Sequence, residues 1–338
     1  MDKSLKNRSF YFDNAKFLLI CLVVFGHLLQ TFIAASDHLK LLYVFIYTFH
    51  MPAFVLISGY FAKNFRKPGY LLKTLKKLIL PYLFFQTGYT IFYYFLFQEN
   101  SFSLKLLYPE WSLWFLLSLF FWNVMLLSFS RWPAWVGISL SIGIGLMAGY
   151  FDIINGYLSL SRTFVFFPFF LVGFFLKKAH FAFAQTVAAK YVALLVFFVA
   201  ACLIALHPEI EENWFLGSKP YDVFVDSNAV GALARSAVYV INFVMIASFF
   251  CLIPKRRLFF TKWGKNTLYV YLLHGFFIKY FREEAASDFI GNSQTFLLVL
   301  IISFGLTVFL SSSFVTAMWQ PMIELRASRW KSFFIRNA

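Results

Sequence analysis

Ten apolar runs limit what this chain can fold into. Their approximate bounds are 14–35, 40–62, 75–97, 111–130, 133–151, 160–176, 188–206, 229–253, 265–281 and 294–318. A helix needs about 20 predominantly apolar residues to cross hydrocarbon. The runs predict an all-α, polytopic transmembrane helix bundle of about ten spans. Composition agrees: 61% of the 338 residues are hydrophobic, 49 are Phe, and only 13% are charged. That is too apolar for a soluble domain. No run separates a second unit, so residues 1–338 are expected to form a single integral-membrane domain.

Charge between the runs alternates. One set of loops holds Lys63, Arg66, Lys67, Lys73, Lys76 and Lys77, then Arg131, then Lys177, Lys178 and Lys190. It continues with Lys255, Arg256, Arg257, Lys262 and Lys265, and closes with Arg326, Arg329, Lys331 and Arg336. With Lys3, Lys6, Arg8 and Lys16, that side carries 23 of the 30 Lys and Arg but only Asp2, Asp13 and Glu324 of the 15 acids. Basic loops face the cytoplasm, so both termini are expected there, in a multi-pass protein of the cell membrane. An even number of spans requires the termini to agree. The same distribution explains the net charge of +15 without nucleic acid as a partner. The acidic stretch 207–228 falls outside, long enough to be a lid and too short to be a domain. Lys3, Lys6 and Arg8 before an apolar run imitate a signal peptide, but cleavage at Ala34–Ser36 would discard His27, and a retained first span is the reading adopted.

That first span, YFDNAKFLLICLVVFGH, carries the chemistry. Asp13 and Lys16 are three residues apart and pair on one helical face. Lys16 and His27 are eleven residues apart, about three turns, so they share a face with roughly 16 Å between them along the axis. A cation near the surface and a titratable group deep inside suit a ligand with an anionic end and a reactive end. Ionisable groups within spans are costly and are functional candidates by default. Asp13 is too far from His27 to orient it.

Other candidates each have a plainer reading. In FHMPAFVLISGY, His50 lies about ten residues deep, where it can approach His27 or simply bond a carbonyl. Pro52 kinks that span and frees a carbonyl, tolerable where protein satisfies it. Ser58 follows on the same run. Lys73, Lys76 and Lys77 in KTLKKLILPY either hold phosphates as point charges or are ordinary cytoplasmic charge. Trp114 fits an interfacial aromatic belt. Arg162 either snorkels or faces the site to orient an acceptor or a developing oxyanion. Asn266 caps or contacts polar groups near the start of the ninth run. His274 is another mid-membrane imidazole, structural or functional. Gly145-xxx-Gly149 is a small-residue packing face. Cys21, Cys202 and Cys251 lie in apolar runs and show no disulfide framework, and no metal-ligand spacing is visible.

The order and spacing of these motifs over most of residues 8–277 resemble the acyltransferase 3 family. DNxKFxLI…VFGH, the His-x-Pro…Ser-Gly wording around His50, a basic pair before Pro81, Trp114-Phe115, the Arg162…Phe-Pro-Phe-Phe…Gly segment and NTLYVYLLHGFF carry the likeness. Many members have Arg where Lys16 stands, and Lys keeps the charge without the bidentate fork. Some carry a fused extracytoplasmic esterase-like domain, which is not expected in a chain ending at Ala338. The resemblance implies transfer of an acyl group, usually acetyl from acetyl-CoA, to hydroxyls of sugars and cell-envelope polymers. Lys16, Lys73, Lys76 and Lys77 would hold the donor. Acyl-CoA is then a co-substrate, and no bound cofactor or metal is expected.

The residues support the same chemistry. Acyl transfer to an alcohol needs a base or an acyl-carrying nucleophile, and histidine serves as either near neutral pH. No Gly-x-Ser-x-Gly elbow or Cys beside His supports a triad. The expectation is a membrane O-acyltransferase with His27, His50, His274 and Arg162 as catalytic candidates. A transporter or flippase for polysaccharide or lipid-linked sugar is the alternative, and a channel-like or structural protein is disfavoured by the ionisable groups within spans.

Overall fold

The computed structural model describes residues 9–98, 100–284, 293–326 and 328. Asp2, Lys3, Lys6, Arg8, Arg329, Lys331 and Arg336 of the charge pattern lie outside the described residues. The described chain is helical, with no strand. Every expected apolar run is helical, in the order α1 (Phe10–Leu29), α2 (Asp37–Tyr47), α3 (His50–Phe61), α4 (Tyr70–Leu96), α5 (Trp114–Phe129), α6 (Ala134–Met147) and α7 (Leu160–Phe175). A short α8 (Lys178–Phe183), then α9 (Val187–Leu206), a short α10 (Asn213–Leu216), α11 (Asn228–Leu252), α12 (Thr267–Glu284), α13 (Ser293–Leu310) and α14 (Ser313–Ile323) follow.

Length and apolarity together qualify five stretches as membrane-crossing: α1, residues Asp37–Asn64, Tyr157–Phe175, α9 and Ala229–Leu252. The bent pair α13–α14 makes six. The expected ten exceeds this for physical reasons. α5 and α6 are short, α12 carries Lys279, Arg282, Glu283 and Glu284, and α4 beyond Lys77 is diluted by Gln86, Thr87, Thr90 and its tyrosines.

Two runs are broken. The second stops at Tyr47 and restarts at His50, because Pro52 has no N–H to return to the Thr48 carbonyl. That carbonyl is not orphaned. The Asn242 amide, taken in the orientation that satisfies both its ends, donates to it at 2.8 Å. The last run bends by 63° between α13 and α14. Asn266 Nδ2 donates to the Ser311 carbonyl at that bend, at 2.8 Å.

Packing is tightest between α3 and α7. A Cβ on Gly59 would strike the Phe170 carbonyl, and one on Gly173 the Leu56 carbonyl. The two glycines thus let the helices meet backbone to backbone. The Gly145 and Gly149 face is closed differently: it receives the Tyr239 hydroxyl and the Tyr221 ring. α9 buries only Ala193 and Ile204 and presents Tyr191, Leu195 and Phe198 outward, as a helix in lipid does.

Candidate active site

α1 supplies one stripe of side chains to two cavities. Lys16, Ile20 and Val23 line a cavity of about 550 Å³. Val23, His27 and Gln30 line a second of about 160 Å³. The steps of four, three, four and three residues keep all five on one helical face. The larger cavity is walled by α3, α4 and α5, with Lys73, Lys77, Ser58 and Thr267 in its lining. The smaller holds His27, His50, Tyr47, Trp111, Trp114 and Arg162. Val23, Met51 and Tyr271 belong to both, so the cavities abut at that point.

His27 lies in the last turn of α1. Its Nδ1 is 3.4 Å from the Tyr47 hydroxyl, and its ring centroid is 4.4 Å from Trp111. Tyr47 also packs edge-on to His50, ring centroids 4.4 Å apart, and so stands between the two imidazoles. His50 Nδ1 is 2.9 Å from the Ile46 carbonyl. A carbonyl only accepts, so that nitrogen carries hydrogen and Nε2 is left as acceptor. His274 has the same arrangement, Nδ1 3.0 Å from the Val270 carbonyl. Its ring stacks 5.6 Å from His27, it is fully buried outside the cavity lining, and its Nε2 has no partner among the described residues. Two of the three expected imidazoles therefore face the cavity, and the third backs His27.

Arg162, near the start of α7, points into the cavity. Its Nε donates to the Leu216 carbonyl at 3.3 Å, and its guanidinium lies 5.1 Å from the Trp114 ring. None of the residues lining this cavity is acidic. Leu216 and Phe215 bring the 207–228 stretch into the lining of this cavity. Arg235, buried in α11, fixes that stretch by donating to the Trp214 carbonyl at 2.6 Å.

At the other end, Asp13 and Lys16 form the expected ion pair at 3.0 Å. Lys73 and Lys77 line the larger cavity with Lys16, whereas Lys76 does not. Ser58 bonds the Phe54 carbonyl of its own helix at 2.9 Å while lining that cavity. Asn266 lines neither cavity. Its place is the α13–α14 bend.

Several site residues escaped the sequence reading. Trp111 sits in a loop with φ 38, a left-handed backbone rare for a bulky residue, and such strain clusters at functional sites. The loop is held by α4: Tyr82 donates to the Leu106 carbonyl at 2.6 Å, and Gln86 donates to the Lys105 and Tyr108 carbonyls, both at 3.0 Å. The Gln86 oxygen in turn accepts from the Glu110 N–H at 2.9 Å. Tyr271 donates to the Ser112 carbonyl. None of these pairings has a signal in local spacing, because each joins residues 19 or more apart, beyond the reach of helical or turn periodicity.

Comparisons with known proteins place the chain in a family. The nodulation protein NolL of Sinorhizobium fredii is 29% identical over 302 residues, covering 80% of this chain and 78% of that protein. The nodulation protein NolL of Mesorhizobium japonicum is 49% identical over 61 residues, 17% of this chain and 16% of the relative. No solved structure matches. The family model of the acyltransferase domain, acyltransferase 3, matches residues 9–316, nearly the whole described chain. The chain belongs to the acyltransferase 3 family.

Proposed function

We propose that this protein is a membrane O-acyltransferase that carries an acyl group, acetyl in the first instance, from acyl-CoA to a hydroxyl of a carbohydrate or cell-envelope polymer. The observation that carries this reading is the α1 stripe: one helix face runs from Lys16 in the larger cavity to His27 in the smaller, past the shared Val23. Family membership supports acyl transfer as the reaction. In this reading residues 1–338 act as one unit in the cell membrane, with about ten spans and both termini in the cytoplasm. The larger cavity takes the donor, with its phosphates beside Lys16, Lys73 and Lys77. The smaller takes the acceptor hydroxyl under the 207–228 cover.

The chemistry follows from the groups present. With Nδ1–H donating to the Tyr47 oxygen, His27 Nε2 takes the acceptor's hydroxyl proton. The oxygen attacks the thioester carbonyl. Arg162, with no lining carboxylate to neutralise it, offers its charge to the oxyanion that develops. Collapse breaks the C–S bond, and the imidazolium returns its proton to the leaving thiolate. His50 stands on the far side of Tyr47 as a second acceptor. The aromatic walls, Trp111, Trp114 and Tyr271, suit the flat faces of a sugar ring.

The test has two parts. Acetyl-CoA should raise the melting temperature of the purified protein. Mass spectrometry of envelope glycans should show O-acetyl groups in cells that carry the chain and not in cells that lack it. A protein that moves glycan across the membrane with no acetyl-CoA binding and no mass change would be a transporter, and the proposal would be wrong.

A further inference from the structure

Arg282, in the last turn of α12, reaches the end of α1. Its Nη2 donates to the backbone carbonyl of His27 and, at 2.9 Å, to the side-chain oxygen of Gln30. Its guanidinium also lies 5.8 Å from the Trp111 ring. The last carbonyls of a helix have no partner within it, and a cation there meets the negative end of the helix dipole. The neighbouring carbonyls of Gly26, Leu28 and Leu29 are satisfied by Gln30, Thr31 and Phe32. The His27 carbonyl is the one Arg282 takes.

An arginine inside a bundle is an expensive way to close a helix. Its Nε has no partner among the described residues. What it gains is placement: it touches the backbone of His27 and the aromatic that walls the His27 ring. We propose that Arg282 is a positioning residue for acyl transfer, holding the His27 backbone and Trp111 so that the imidazole points at the acceptor. This rests on His27 being the base.

Membrane vesicles from cells expressing each variant, given radiolabelled acetyl-CoA, report label incorporated into envelope glycan per inserted protein. Arg282→Met keeps an unbranched stem and loses the charge and both hydrogen bonds. It should lower the maximal rate by about 10- to 100-fold, the scale of a small misplacement of a catalytic group. The KM for acetyl-CoA should stay unchanged. Arg282→Lys, which keeps the charge and can still reach the carbonyl, should recover part of the rate. Arg282→Met at the full rate beside an inactive His27→Ala overturns the role of Arg282 alone. His27→Ala at the full rate overturns the base assignment beneath it. A raised KM with an unchanged maximal rate makes Arg282 a donor contact and also defeats the proposal. If Arg282→Met does not insert, Arg282→Gln, which loses the charge and the guanidinium fork, decides: a lowered rate at constant KM supports positioning, and a full rate refutes it.

Discussion

The hydroxyl of Tyr47 lies 3.4 Å from Nδ1 of His27. The contact joins the last turn of α1 to the last residue of α2, just before the Pro52 break. Tyr47→Phe removes it and leaves the ring, which stacks on Tyr43 at 3.9 Å and packs against His50. One neutral hydrogen bond is worth about 0.5–1.5 kcal/mol, so the transfer rate should fall about two- to thirteenfold. Steady-state kinetics should show this with an unchanged KM for acyl-CoA. A larger KM would place the hydroxyl on the donor instead.

His27→Ala should lose about 10²–10⁴ in rate, the usual worth of a general base, while still inserting and binding acyl-CoA. His27→Gln keeps a hydrogen bond but no useful base and should be nearly as inactive. Near-full activity in a well-expressed His27→Gln would shift the assignment to His50, whose Nε2 is also free to accept. Acyl label found on His27 after donor alone would favour a covalent route over direct transfer.

The three lysines of α4 should not behave alike. Lys73→Ala and Lys77→Ala should raise the KM for acyl-CoA with little change in kcat, the sign of lost ground-state binding. Lys76→Ala should leave both constants near normal, because Lys76 does not line the cavity. The effects at Lys73 and Lys77 should shrink with a short thioester lacking the nucleotide. Equal losses with both donors would assign them to folding.

The charge pattern makes a separate claim about orientation. In a background without the native cysteines, a membrane-impermeant thiol reagent added outside should label Lys219→Cys, an exposed position in the 207–228 stretch. It should leave Lys67→Cys, exposed between α3 and α4, unlabelled until the cells are opened. The reverse pattern would invert the topology.

Gly59 and Gly173 should tolerate no Cβ. Each faces a backbone carbonyl of the partner helix, which cannot swing aside as a side chain would. Overpacking costs about 1–3 kcal/mol, so Gly59→Ala or Gly173→Ala should visibly lower the melting temperature. Gly143→Ala, where nothing lies within 4 Å, should not.

Helices were legible because apolar runs in hydrocarbon have one local solution, and the Lys16–His27 spacing was legible because both lie on one helix. The Asp13–Lys16 pair and the Pro52 break followed for the same local reason. Trp111, Tyr271 and Arg282 were not. Each acquires its place from a contact more than 80 residues away in sequence or from a loop conformation, and periodicity carries neither. Lys76 and Lys77 were indistinguishable by composition, since only the rotation of α4 against α1 and α3 decides which faces the cavity.

Val23, Met51 and Tyr271 also bear on how tight the bilayer remains. Two chambers placed end to end would conduct protons and small ions if they filled with water and merged, and a cell that made such a protein would drain its own membrane potential. Three side chains, two of them wholly apolar, stand where the chambers abut. A two-carbon fragment needs far less width than the nucleotide that delivers it, so the partition can stay nearly shut while chemistry passes through. Trimming Met51 to alanine would then be expected to make cells leaky before it made them acyl-deficient, and the fluorescence of a potential-sensitive dye would register the difference.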